Sequence, residues 1–125
     1  MDVTPLIPAG RQIIQAYVAG GFKVSGKSFA GPLIVTPVET SPWNAPELFS
    51  DLSVHDFAPL FAMAAELDVV LLGTGVRGEF FPPALRGALK GRGLIIDAMG
   101  TGAACRTYNV LMAEGRRIAA ALMPV

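Results

Sequence analysis

Asp68-Val69-Val70-Leu71-Leu72-Gly73-Thr74-Gly75 is the stretch on which the fold turns. Its aliphatic run shows no polar alternation, so both faces of the segment must be covered, as in an interior strand of a parallel sheet. Gly73-Thr74-Gly75 ends the run. The same grammar returns at Leu94-Ile95-Ile96, which reads as a second buried strand leaving through Met99-Gly100-Thr101-Gly102. Between the two, Pro82-Pro83 suits a helix start, Leu85, Ala88 and Leu89 make one apolar stripe, and Gly91 and Gly93 offer positive-φ stops. Thr101 is expected to cap a further helix that runs to about Glu114 and closes at Gly115, and Ile118 to Met123 forms a last short strand. Strands alternating with helices predict a layered α/β domain with helices packed on a mostly parallel sheet.

Upstream, Ile13, Ile14, Ala16 and Val18 are β-prone, and Gly20-Gly21 permits a tight turn before Phe22 to Ser25 returns, so an N-terminal β-hairpin is expected. Leu33-Ile34-Val35 is a short strand that Pro37 stops. Ser41 to Pro46 reads as a loop, in which Trp43 is either a lid over the core or an exposed anchor for a partner. Ser53 and Asp56 resemble a capping box, followed by Phe57, Leu60, Phe61, Ala64 and Ala65 at helical spacing. Pro59 requires that helix either to start nearer Asp56 or to bend.

A chain of 125 residues suits one domain spanning 1–125. Hydrophobic residues make up 52% and charged residues 16%, a balance that argues against disorder and for apolar surface offered to a partner or to a second copy. Ten basic residues offset ten acidic ones, leaving no net field to hold a nucleic acid or an anionic membrane. One cysteine, Cys105, and one histidine, His55, exclude a disulfide and a zinc cluster. No apolar run approaches the ~20 residues of a membrane span, and Met1 to Pro8 has no targeting character, which fits a cytoplasmic setting.

Gly73-Thr74-Gly75-Val76-Arg77-Gly78 matches the letter of a dinucleotide fingerprint, with Asp97 near the end of the next strand. Glu79-Phe80-Phe81-Pro82-Pro83 delays the helix that should face the pyrophosphate, so a structural turn is the better reading and no cofactor is expected. Ligands of parallel sheets collect beyond the carboxyl ends of strands, where both Gly-Thr loops leave. Arg77 and Arg106 could hold a small carboxylate or phosphate there, while the plainer reading makes Arg106 and Asn109 a solvated helix face. Cys105 beside Arg106 is either a reactive thiol or a buried inert one, and no base partner is evident. Paired carboxylates and a nucleophile elbow are both missing, so no catalytic residue is assigned.

The block Asp97-Ala98-Met99-Gly100-Thr101-Gly102-Ala103-Ala104-Cys105-Arg106-Thr107-Tyr108-Asn109-Val110-Leu111, with Glu114 to Leu122 after it, resembles a known family. It is similar to the small family of domains of unknown function that includes the mitochondrial respiratory complex I assembly factor 3. Leu71 to Gly75 and Gly31 to Val35 extend the likeness over nearly the whole chain. Without a targeting extension, the chain looks like a bacterial relative. The resemblance implies a three-layer fold around a mixed central sheet whose last strand runs opposite to its neighbours. It implies no reaction, and it places the family motif on Gly73, Thr74, Gly75, Thr101, Ala104, Arg106, Thr107, Tyr108, Asn109 and Glu114.

The expectation is therefore a non-enzymatic binding or assembly protein for a complex I type membrane complex, with a protein partner and no metal. The alternative is a small-anion binder or enzyme using the crevice between the 73–77 and 100–106 loops. The candidate surface comprises Gly73, Thr74, Gly75, Arg77, Thr101, Arg106, Thr107 and Asn109.

Overall fold

The computed structural model describes residues 10–125, so the reading of Met1 to Pro8 lies outside the described residues. The expected hairpin forms from β1 (Ile14–Val18) and β2 (Gly21–Val24), turning at Gly20 with φ +78°, and β3 (Lys27–Ala30) adds a third antiparallel strand. β4 (Leu33–Val35) then enters a second, larger sheet. Beside it lies β5 (Thr40–Pro42), in a stretch expected to be loop. Pro42 is tolerated there because β5 is the sheet's edge and owes no amide to an outer neighbour.

A short 3-10 turn at Phe49–Asp51 precedes a 3-10 helix at Val54–Glu66, where an α-helix was expected. Asp56 does reach back to the Ser53 N–H, at 2.7 Å, as the capping-box reading expects, and the helix opens at Val54, not nearer Asp56. Pro59 lies inside the helix and cannot donate to an earlier carbonyl. The three-residue period suits the sequence locally, since Phe57 and Leu60 are both fully buried.

β6 (Val69–Thr74), α1 (Pro83–Gly91), β7 (Ile96–Met99), α2 (Thr101–Ala113) and β8 (Ile118–Met123) follow. β7 begins later than expected: Leu94 and Ile96 are buried, while Ile95 is exposed. Strand order in the larger sheet is β5-β4-β8-β6-β7. β8 runs antiparallel to β4 but parallel to β6, which corrects the implication that the last strand opposes its neighbours. The physical reason is connectivity: α2 carries the chain back to the end where β6 began, and a helical crossover returns a parallel strand. The sheet's antiparallel pairs are instead β4 with β5 and β4 with β8.

Alternate side chains of the central strands feed two cores. Ile34, Val70, Leu72, Ala119, Ala121 and Met123 meet Phe57, Leu60 and Leu89 on one face. Leu33, Val35, Leu71, Ile118, Ala120 and Leu122 meet Ala104, Cys105, Tyr108 and the strands of the hairpin on the other. The result is the expected three-layer α/β arrangement around a mixed sheet. Trp43 proves to be the lid: it is buried, tilted against Phe57 at 5.5 Å, and its indole Nε1 donates to the Asp56 carbonyl at 2.6 Å. No described helix is long and apolar enough to cross a membrane.

Candidate functional site

Because β6 and β7 are parallel neighbours, the Gly-Thr turns that leave them lie side by side at one end of the sheet. They are stitched together. The Thr101 N–H donates to the Gly75 carbonyl at 2.8 Å, and the Gly75 N–H donates to Thr101 Oγ1 at 2.9 Å. The Thr101 hydroxyl in turn donates to the Met123 carbonyl at 2.5 Å. One buried side chain thus joins the ends of β6 and β8 to the start of α2. Thr101 is the first helical residue, and Gly100 occupies the cap position that the sequence assigned to Thr101. With its oxygen turned toward β6 and β8, the threonine links elements instead of capping its own helix.

Thr74 plays the matching part on the other turn. Its Oγ1 accepts the Glu79 N–H at 3.1 Å, and its hydroxyl hydrogen faces the carbonyls of Arg77 and Met99. Gly73 is needed for the close approach of α2, since a Cβ there would stand 2.8 Å from Thr101 Oγ1 and 3.1 Å from Thr101 Cα. Gly75 has φ +106°, a left-handed conformation that side chains disfavour. Among the described residues, no buried side-chain nitrogen or oxygen lacks a hydrogen-bond partner. The delayed helix is confirmed in place: α1 opens only at Pro83, so no helix end faces the Gly73–Gly78 loop from that side.

On α2, Asn109 spends both ends of its amide on one backbone position of β1. Its Oδ1 accepts the Ile14 N–H at 2.9 Å and its Nδ2 donates to the Ile14 carbonyl at 2.8 Å. Tyr108 Oη donates to the Gln12 carbonyl at 2.8 Å, and burial pushes its phenol well above the ordinary tyrosine range. Thr107 Oγ1 makes only a long contact of 3.8 Å with the Met99 sulfur. Cys105 is buried, and desolvation pushes its thiol up to about 11, with the Arg106 guanidinium pulling weakly the other way. A reactive cysteine needs thiolate near neutral pH, and this environment withholds it.

Arg106 is exposed on α2. Its Nη1 donates to Tyr17 Oη at 3.0 Å, across Gly102, where a Cβ would come within 2.6 Å of that hydroxyl. Together they line an open concavity of about 530 Å³ with Ala19, Val76, Gly100, Ala103 and Val125. Arg77, paired with Arg106 in the sequence reading, is exposed and does not line it. Neither arginine meets Glu114: the ion pairs among the described residues are Arg116 with Glu114 at 3.9 Å and Arg117 with Asp68 at 2.8 Å, which holds the Asp68 carboxyl below its usual range. Those pairs lie just before β8 and β6, at the other end of the sheet, beside a groove of about 450 Å³ that mixes arginines with Glu39 and Glu66. Tyr17, Ala19 and Val125 are surface residues that the sequence reading missed. No local signal joins them to Arg106, because the contact spans from β1 to α2.

Comparison with known proteins places this arrangement. An NADH dehydrogenase [ubiquinone] 1 alpha subcomplex assembly factor 3 of Danio rerio is 35% identical over 112 residues, covering 90% of this chain and 64% of the relative. The chain thus spans a little under two thirds of that longer protein. An uncharacterised protein of Rhodobacter capsulatus is 36% identical over 117 residues, covering 94% of this chain and 88% of its own length. Among solved structures, a Bordetella pertussis protein described as a Mth938-like domain superposes with a TM-score of 0.78 at 28% identity, over 99% of this chain and 92% of that one. The pattern defining the proteins of unknown function DUF498/DUF598 matches residues 14–123, which takes in both cores, both Gly-Thr turns and the whole of α2. The chain belongs to the DUF498/DUF598 family.

Proposed function

We propose that this protein is a non-enzymatic binding protein that assists the assembly of a complex I type respiratory complex by holding a protein partner. The observation that carries the reading is the likeness, at 35% identity, to a relative named as an assembly factor of NADH dehydrogenase. The chemistry of the candidate surface supports it. Thr74, Thr101 and Asn109 spend their polar atoms on the backbone of neighbouring elements, and Gly73 and Gly75 serve the packing of the turns. That leaves a surface of Arg77, Arg106 and apolar residues, suited to recognition.

Affinity capture of tagged protein from detergent-solubilised membranes and from the soluble fraction tests this. Subunits of an NADH:quinone oxidoreductase, or an assembly intermediate of one, are the expected partners. Recovery of none, while purified protein turns over a metabolite, would overturn the reading in favour of an enzyme.

A further inference from the structure

Thirteen residues, Val54–Glu66, form a 3-10 helix, although the hydrogen bonds of such a helix are poorer than those of an α-helix and long runs of it are uncommon. Its ends conform: the Asp56 N–H donates to the Ser53 carbonyl and the Leu67 N–H to the Ala64 carbonyl, each at 3.1 Å. The sequence between them favours the other form. Ala58, Ala62, Ala64 and Ala65, with Leu60 and Glu66, are strong α-formers. Burial is divided between the two periods. Leu60 follows Phe57 by three residues, but the next buried residue is Ala64, four further on, while Met63 is half-buried. An α-helix opening near Asp56 would keep Phe57, Leu60, Phe61 and Ala64 on one stripe and hold Pro59 in its first turn, where a missing amide is tolerated.

A single acceptor separates the two forms. In the α form the Leu60 N–H would donate to the Asp56 carbonyl, four residues back. In the structure that carbonyl takes the Trp43 indole at 2.6 Å, and the 3-10 bond it would otherwise receive is missing because residue 59 is proline. Trp43 is also fixed through its backbone, its own N–H donating to the Pro32 carbonyl at 2.9 Å where the chain leaves β5.

We infer that Val54–Glu66 is a two-state element, latched in the 3-10 form by Trp43 and converting to α-helix when the indole releases Asp56. The helix joins two hollows. The latch borders a cleft of about 220 Å³ with Asn44, His55 and Pro59. At the far end of the helix, Met63, Glu66 and Leu67 line the groove of about 450 Å³ that Arg117 and Ile118 also line. With about 0.5 Å less rise and about 20° less turn per residue, the α form draws Leu60 to Glu66 in by about 3 Å and swings Met63 and Glu66 around the axis. Opening the latch at one hollow therefore reshapes the other. Coupling of this kind needs one element with two discrete arrangements that both sites bias, and this helix supplies it. The inference is independent of the partner-binding reading above.

Nuclear magnetic resonance of the isotope-labelled full chain tests the latch. Contacts from an Hα to the amide two residues on mark the 3-10 form and should run through Leu60 to Glu66 in the parent, whereas contacts to the amide four residues on mark the α form. Trp43→Phe keeps an aromatic ring in the core and removes the donor. It should raise the α fraction about tenfold, and the amide resonances of Arg117 and Ile118 in the groove should move with it. An unchanged contact pattern overturns the inference. So does an α pattern already dominant in the parent, or loss of both kinds of contact in the variant, which would mean that the helix has only melted. Conversion that leaves Arg117 and Ile118 unmoved overturns the coupling of the two hollows. Should Trp43→Phe fail to fold, relaxation dispersion in the parent decides. The Trp43 indole N–H and the amides of Leu60 to Glu66 should then exchange at one rate with a minor state of α-like shifts, and separate rates or no exchange sink the latch.

Discussion

Thr101 shows how much one hydroxyl can organise. It accepts from the Gly75 amide and donates to the Met123 carbonyl, and replacing it with valine keeps the shape while leaving a buried donor and a buried acceptor without partners. Thr101→Val should cost about 3 kcal/mol, read as a lowered midpoint in urea denaturation, and an unchanged midpoint would show that the stitch contributes nothing. Cys105 makes a prediction in pH. Its folded value of about 11 lies above its ordinary value of 9.0, so the unfolded chain loses its proton first as pH rises. Stability from the buried neutral thiol is complete below about pH 9 and is lost between about 9 and 11. Tyr108, shifted in the same direction, extends the loss further into alkali. Urea midpoints followed across this range should fall, and Cys105→Ala should flatten the first part of the fall. The native thiol should also be alkylated far more slowly than in denatured chain. The threonines, glycines and arginine of the site were legible as residues, since their spacing after strands announces turns. Their partners were not, because a hydroxyl's choice between capping its own helix and joining two strands depends on elements distant in sequence.

At the scale of elements, the 3-10 helix departs furthest from the pattern read in the sequence. In a 3-10 helix the amide of residue 59 would donate to the carbonyl of residue 56. Pro59 has no such amide, and the freed Asp56 carbonyl takes the Trp43 indole instead. The proline and the tryptophan therefore form one device that seats β5's exit on the helix. Trp43→Phe should cost about 2 kcal/mol, combining a lost buried bond with lost packing. In a Pro59→Ala background the same change should cost less, because the alanine amide can answer Asp56. Denaturation of the two single variants and the double variant measures the coupling, and strict additivity would dissolve the device. A sequence reading sees Pro59 as an obstacle to a helix, since the tryptophan that uses the vacant carbonyl belongs to another element.

For the whole molecule, the larger sheet holds two cores apart, and the three-stranded sheet shares one of its faces with α2, to which it is fastened. Asn109 binds both backbone groups of Ile14, and Tyr108 binds the Gln12 carbonyl. Asn109→Ala should loosen that layer first. Amide exchange in β1, β2 and β3 should speed up about tenfold, while β6 and β8 keep their protection. Uniform acceleration would mean that the layers open only together. The sequence alone determined the α/β class, the buried runs of β6 and β8, the hairpin, the start of α1 and the place of both Gly-Thr turns. These are legible because local periodicity, proline, glycine and continuous apolarity act over a few residues. Tertiary structure alone decided that Thr40–Pro42 is a strand, that β8 lies between β4 and β6 with opposite senses toward them, and that Arg106 meets Tyr17 and not Arg77. Strand order and side-chain partnership are set by which faces are left to bury once the helices have packed, and that competition involves the whole chain.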